Sequence, residues 1–273
     1  MKIKFLGTAA AEGIPGIFCE CEVCERSRKL GGKNIRSRSQ ALIDDKLLID
    51  LPPDTYYHTL KHGINLAKIE NCLITHTHSD HFYPKELIMR TVGYSHLANE
   101  KLLNIYGTKF VGGVINPLNY DKTRICFEEI KDFEAFNIND YQIMPLKAEH
   151  APDTGPVLYL ITNNDKSILY AHDTGYFGDE VWDYLGAGII HLDFVSLDCT
   201  EADRPINYKH HMNLEKNIQV RDRLIKIGCC DKETIFCLNH FSHNGGNVLY
   251  DDFVKIANKN NFMISYDGLE VIV

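Results

Sequence analysis

No apolar run in this sequence approaches the roughly 20 residues needed to cross a bilayer, so a transmembrane chain is excluded. The opening residues, Met1-Lys2-Ile3-Lys4-Phe5-Leu6-Gly7, lack the apolar stretch and cleavage pattern of a secretory signal. Basic residues are in deficit: 29 Lys and Arg stand against 37 Asp and Glu, a net charge of −8. Such a chain is a poor neutraliser of phosphate backbones, so no nucleic-acid partner is expected. There is no internal repeat, low-complexity tract or Ser/Pro-rich linker. One domain over residues 1–273 is therefore expected. An even set of spaced cysteines is also missing. The nine present are odd in number and two are adjacent, Cys229 and Cys230. That argues against a secreted disulfide framework and for thiols or metal ligands. The expected location is the cytoplasm, with no membrane partner.

What is present is ordinary in bulk, 44% hydrophobic and 24% charged, and unusual in its thirteen histidines. Short runs rich in Ile, Val, Leu, Tyr and Phe predict strands at Lys2–Leu6, Gln40–Asp44, Lys46–Asp50, Asn71–Thr75, Leu103–Tyr106 and Tyr141–Ala148. Others follow at Val157–Thr162, Ser167–His172, Phe194–Asp198, Thr234–Asn239, Met263–Tyr266 and Glu270–Val273. Helices are expected at Pro84–His96, Leu214–Ile227 and Tyr250–Lys259, the second capped by Asn213. Many strands with fewer helices predict a layered protein with large sheets rather than a barrel. His76, Asp173 and His240 each stand at or just after a strand end, a rigid place from which to aim a ligand.

The strongest local signal is Thr75-His76-Thr77-His78-Ser79-Asp80-His81. Three imidazoles and a carboxylate within six residues suit divalent zinc, manganese or iron. In a tight turn, His76 and His78 can serve one metal while Asp80 and His81 serve a second. A merely solvated turn would gather mutually repelling histidines without reason.

This His-x-His-x-Asp-His pattern resembles the signature of the metallo-β-lactamase superfamily. The resemblance implies an α+β fold, a four-layer αββα sandwich, over essentially the whole chain. It implies three later ligands, matched by His150, Asp173 and His240. His76, His78 and His150 would then bind one metal, Asp80, His81 and His240 the other, with Asp173 bridging both. Two such ions activate a shared water and clamp a phosphoryl oxygen. Asp50 looks like the early buried aspartate that orients ligands. Oxygen-reducing diiron relatives carry glutamate where this chain has His78, which favours hydrolysis over redox chemistry. His172, the strand neighbour of Asp173, is expected to point away from the metals.

Cys19-Glu20-Cys21-Glu22-Val23-Cys24 places three thiols in six residues. Three ligands need a fourth to close a structural zinc site, and His243, near His240, is the candidate. This loop, together with Arg36-Ser37-Arg38-Ser39-Gln40 and Asn239-His240-Phe241-Ser242-His243-Asn244, resembles the phosphoribosyl cyclic phosphodiesterase branch of the superfamily. The resemblance implies two catalytic divalent ions, zinc or manganese, one structural zinc, and a small cyclic phosphodiester as substrate. It leaves room for a homodimer.

The residues expected to carry the chemistry are Asp80 and His211. His211 aligns with a histidine that reaches the active site in relatives, and histidine suits proton delivery to a departing alkoxide near neutral pH. His210 is the alternative in the same turn. Arg36, Arg38 and Lys33 offer a basic patch for a substrate phosphate, although charged loop residues are commonly just solvated. Pocket shape is expected to come from the long connections Phe82–Asn99, Gly107–Asp140 and Trp182–His210. The competing readings are a transfer-RNA 3′-end nuclease, a lactonase or other ester hydrolase, and a non-catalytic carrier that keeps the fold. Acidity weighs against the first, and a complete set of seven ligands against the last.

Overall fold

The computed structural model describes residues 1–98, 101–118, 120–188 and 190–273, so Asn99, Asn119 and Ile189 of the pocket-forming connections lie outside the described residues. Two seven-stranded sheets form the centre. The first contains β1 (Lys2–Gly7), β2 (Gln40–Ile43), β3 (Leu47–Ile49), β4 (Asn71–Leu73), β5 (Leu103–Gly107), β6 (Ile125–Glu129) and β14 (Glu270–Ile272), ordered β14-β1-β2-β3-β4-β5-β6. The second contains β7 (Phe136–Ile138), β8 (Tyr141–Lys147), β9 (Val157–Asn163), β10 (Lys166–Ala171), β11 (Phe194–Asp198), β12 (Ile235–Asn239) and β13 (Met263–Ile264), ordered β13-β12-β11-β10-β9-β8-β7. The helices are α1 (Glu22–Leu30), α2 (Thr55–His62), α3 (Lys109–Ile115), α4 (Asp179–Ala187), α5 (Leu214–Lys226) and α6 (Tyr250–Lys259).

Alternation along each strand builds three apolar layers. Ile3, Phe5 and Ile43 of one sheet meet Tyr159, Ile168 and Tyr170 of the other between the sheets. Leu169, Ala171 and Val195 face outward onto Trp182 of α4, Leu224 of α5 and Phe253 of α6. On the far side, Leu48, Cys72 and Ile105 meet Val111 and Ile115 of α3. The stack is helix, sheet, sheet, helix: the expected αββα sandwich. Central strands are buried on both faces, which is why they read as continuous apolar runs.

The helix expected at Tyr250–Lys259 forms as read, and the one from Leu214 ends at Lys226. Asn213 Oδ1 accepts from Lys216 N at 3.0 Å, the cap that starts it. The Pro84–His96 helix does not form. Residues Pro84–Arg90 make a 3₁₀ turn, Thr91 is extended, and Gly93 has φ +95°. Ile88, Met89 and Val92 are exposed, so the segment lacks the single buried stripe that stabilises an amphipathic helix. Strands β6 and β7, each at a sheet edge, and helices α1 to α4 are additional elements.

Parallel pairing places the site. β3 runs parallel to β4, and β10, β11 and β12 are mutually parallel, so their carboxyl ends share one edge of each sheet. There the chain must turn sharply. Asp50, Asp173 and His240 do so at φ +67°, +50° and +62°. Each such non-glycine conformation costs about 1–3 kcal/mol and persists only where its surroundings impose it.

Candidate metal centre

Two groups of donors converge at this edge. In the first, His78 Nδ1 lies 2.9 Å from His76 Nε2 and 3.2 Å from His150 Nε2. In the second, His81 Nε2 lies 3.3 Å from His240 Nε2 and 3.4 Å from Asp80 Oδ2. Asp173 stands between them. Its Oδ2 is 2.6 Å from His81 Nε2 and 3.4 Å from the Nε2 atoms of both His76 and His240, while Oδ1 is 3.9 Å from His150 Nε2. All seven sequence-predicted donors are thus brought together.

The surroundings fix each ring. Asp50 Oδ2 bonds His81 Nδ1 at 2.7 Å, and its Oδ1 accepts from the Thr75 backbone N–H at 2.8 Å. His150 Nδ1 is held by the His210 carbonyl oxygen at 3.2 Å. His240 Nδ1 meets Thr200 Oγ1 at 2.9 Å, and that hydroxyl donates to Asp198 Oδ2 at 3.1 Å. In each case the other ring nitrogen is left for the cluster, the usual outer support of a metal-binding histidine.

The donor set fits metal ions. Zinc bound to imidazole at about 2.0–2.1 Å in a tetrahedron separates neighbouring nitrogens by roughly 3.3 Å, close to the spacing of these rings. The electrostatics agree. Burial opposes a charge on His81, yet the Asp173, Asp80 and Asp50 carboxylates outweigh it and raise its proton affinity well above the ordinary value. Burial and the His81 charge push His76 well below that value. The same carboxylates that favour a positive charge on His81 would attract a divalent cation. The His/Asp cluster suits a dinuclear metal site.

Cys19, Cys21, Cys24 and His243 form a separate group in ligand range. His243 Nδ1 lies 3.6 Å from Cys19 Sγ and 3.5 Å from Cys21 Sγ, and Cys24 Sγ accepts from Gly16 N at 3.2 Å. Cys24 is pushed up to about 12 by burial. Cys21 is lowered to about 6 because hydrogen bonds from Cys24, Cys19 and His243 outweigh its own burial. Three thiols and an imidazole suit a closed structural site. A Cβ at Gly16 would lie 3.1 Å from both Cys19 Cβ and His243 Nε2, so glycine permits this approach. The loop is tied to the centre through Ala10 N, which donates to the carbonyl of Phe241, the residue after His240.

His211 sits at the rim with Nδ1 3.0 Å from Asp198 Oδ2 and 3.4 Å from Asp173 Oδ1. Burial disfavours its charged form, but Asp198 overcomes this and pushes its pKa up to about 9. His210 contributes its carbonyl rather than its ring. His172 turns away onto Ser196 Oγ, at 2.6 Å. The basic patch does not assemble. Arg36 is buried, donating to Thr8 Oγ1 and the Ser265 carbonyl. Arg38 pairs with Asp54, and Lys33 lies over the rings of Tyr250 and Tyr266. Asp198 and Thr200, which no sequence motif marks, complete the support of His240 and His211. The only signal was an aspartate closing a predicted strand.

The sequence profile of the beta-lactamase superfamily domain matches residues 46–227, more than half of the chain, and the chain belongs to that family. With two sheets, flanking helices and this donor set, it is a member of the metallo-β-lactamase superfamily of hydrolases. A ribonuclease Z from Leuconostoc mesenteroides is 24% identical over 162 residues, 56% of this chain and 46% of that protein. The chain spans about half the length of the curated relatives it matches. Among solved structures, a diphosphatase of the PhnP family superposes with TM-score 0.75 and 20% identity, covering 100% of this chain and 97% of that one. Zinc-bound PqqB from Methylobacterium extorquens superposes with TM-score 0.72 and 14% identity, covering 100% of each. At these identities the likeness establishes a common fold.

Proposed function

We propose that this protein is a metal-dependent phosphodiesterase acting on a small cyclic phosphodiester of the phosphoribosyl cyclic phosphate type. The observation that carries the reading is the position of His211, whose Nδ1 lies 3.0 Å from Asp198 Oδ2 and 3.4 Å from Asp173 Oδ1. His76, His78, His150, Asp80, His81, His240 and Asp173 would hold two divalent ions, zinc or manganese, which when bound would supply an activated water and positive charge opposite the phosphoryl oxygens. Asp173 holds the two donor groups at a common spacing. Asp50 and Thr200 fix His81 and His240. With Nδ1 of His211 committed to Asp198, its Nε2 delivers a proton to the departing alkoxide. The Cys19, Cys21, Cys24 and His243 group takes a structural zinc and fixes the early loop beside His240.

A second reading, a nuclease acting on transfer-RNA 3′ ends, is favoured by the ribonuclease Z matches. The net charge of −8 weighs against it. The test is an assay of metal-restored protein on 5-phosphoribosyl 1,2-cyclic phosphate, an activated diester and a precursor transfer RNA. Preferred cleavage of the cyclic phosphate supports the proposal. Cleavage of the RNA alone replaces it with the second reading. No hydrolysis of any of them ends the phosphodiesterase account.

A further inference from the structure

Behind the donor groups runs a buried polar chain that the chemistry above does not use. It starts at Gln40, the first residue of β2, which is buried. Gln40 Nε2 donates to the main-chain carbonyl of Asp50 at 2.9 Å and to Thr55 Oγ1 at 3.1 Å. Thr55 donates its own hydroxyl proton to the Pro52 carbonyl at 2.6 Å. The amide is therefore fixed in orientation, and Gln40 Oε1 must accept from Nδ1–H of His58, 2.6 Å away on α2. His58 is also buried, and its Nε2 meets Ser37 Oγ at 2.7 Å. Ser37 Oγ donates to Asp267 Oδ2 at 2.6 Å. Asp267, in the turn before β14, also accepts from Ser37 N and Thr8 Oγ1 at 2.8 Å each and pairs with Lys61 at 3.3 Å.

The chain ends on a particular atom. Asp50 turns the backbone at φ +67°, and that turn aims its carboxylate at His81 Nδ1, 2.7 Å away. A left-handed non-glycine residue persists only where its surroundings impose it. Gln40 does so by holding the Asp50 carbonyl, and His58 does so for Gln40 by holding its amide oxygen. Ser37, Asp50, His58 and Asp267 belong to four different connections, so only the fold assembles them. A buried polar chain of this kind specifies one geometry when every member is satisfied.

We propose that Gln40 and His58 are positioning residues of the centre: Gln40 pins the main chain of Asp50, His58 pins Gln40, and the Asp50 carboxylate thereby holds His81 in register with Asp80, Asp173 and His240. This rests on reading the His/Asp cluster as a metal centre, and the test separates the two. Metal-free full-length protein labelled with ¹⁵N-histidine is examined by NMR for the His81 Nδ1–H proton, identified by its absence from His81→Gln. Zinc-restored protein is titrated in parallel with a chelator. Gln40→Glu keeps an acceptor for His58 but has no donor for the Asp50 carbonyl. It is expected to move the His81 signal and to release one catalytic ion at about 10-fold lower chelator concentration, the other as in the wild type. His58→Phe is expected to do the same. His58→Asn, whose amide can donate where Nδ1–H donates, is expected to restore both readouts, and this pair decides the matter if Gln40→Glu fails to fold by circular dichroism. An unmoved His81 signal in the folded variants overturns the proposal. So does release of both catalytic ions as in the wild type, or an equal shift of both, which marks a general loss of stability. A wild type that takes up no ion at the cluster defeats the metal reading alone, and the His81 signal still decides the positioning role.

Discussion

Asp198 Oδ2 lies 3.0 Å from Nδ1 of His211 and also accepts the hydroxyl of Thr200, whose oxygen faces Nδ1 of His240 at 2.9 Å. One buried carboxylate at the end of β11 therefore orients His240, a donor of the His/Asp cluster, and the proposed leaving-group acid together. Proton donation matters most when the leaving group is a poor one. His211→Ala is expected to slow an alkyl diester by about 10²–10⁴-fold. It should barely change a 4-nitrophenyl diester, whose leaving group departs without a proton. Asp198→Asn should follow the same pattern less steeply. Equal losses on both substrates would mean that His211 serves only to bind phosphate.

Asp50 lies outside the donor groups, yet its Oδ2 holds Nδ1 of His81 at 2.7 Å, with both side chains fully buried. Loss of such an outer partner commonly weakens metal affinity by about 10–100-fold. Asp50→Asn is expected to lose one of the two catalytic ions first in a competition titration with a chelator. Unchanged release of both ions would make Asp50 a purely structural strand end.

Gly175 has an ordinary backbone conformation, but its surroundings exclude a side chain. A Cβ there would lie 1.6 Å from the Lys209 carbonyl oxygen. Gly175→Ala must push back the segment that carries the His210 carbonyl and the His211 ring. A displacement near 1 Å can cost about 10²-fold in rate. The expected result is a large fall in kcat with bound metal and far-ultraviolet circular dichroism retained. Full activity would show that the segment's position is unimportant.

The cysteine group is expected to contribute stability rather than chemistry. Cys24 is completely buried beneath the loop, and metal bound there stabilises only the folded chain. Cys24→Ser should remove one zinc per chain by elemental analysis. A loss of about 3 kcal/mol corresponds to roughly 6–12 °C in melting temperature for a chain of this size. Rate constants per catalytic metal pair should change little. Loss of hydrolysis with an unchanged melting temperature would contradict a structural role.

The sequence exposed the centre more fully than the scaffold. His76, His78, Asp80 and His81 lie within one turn, and His150, Asp173 and His240 each follow an apolar run, so their chemistry is written locally. Helix α6 was legible because its apolar positions share one face, and α5 because Asn213 caps it. Helix α3 contains Gly112 and Gly113, which hide its periodicity, and the charged α1 carries little apolar signal. Strand β6 ends in two exposed glutamates at a sheet edge. Asp198 acts through contacts with residues 2, 13 and 42 positions away, which no local pattern records. Arg36 looked like a surface cation, but the fold buries it under Phe241.

Asp173 is proposed to join the two donor groups into one hydrolytic centre. Wild-type protein and Asp173→Ala, both restored with zinc or manganese, are compared for metal content and for hydrolysis of 5-phosphoribosyl 1,2-cyclic phosphate. Rapid cleavage by the wild type is expected, with loss of both cleavage and bound catalytic metal in the variant. A variant that keeps its metal and cleaves the cyclic phosphate at the wild-type rate would contradict it.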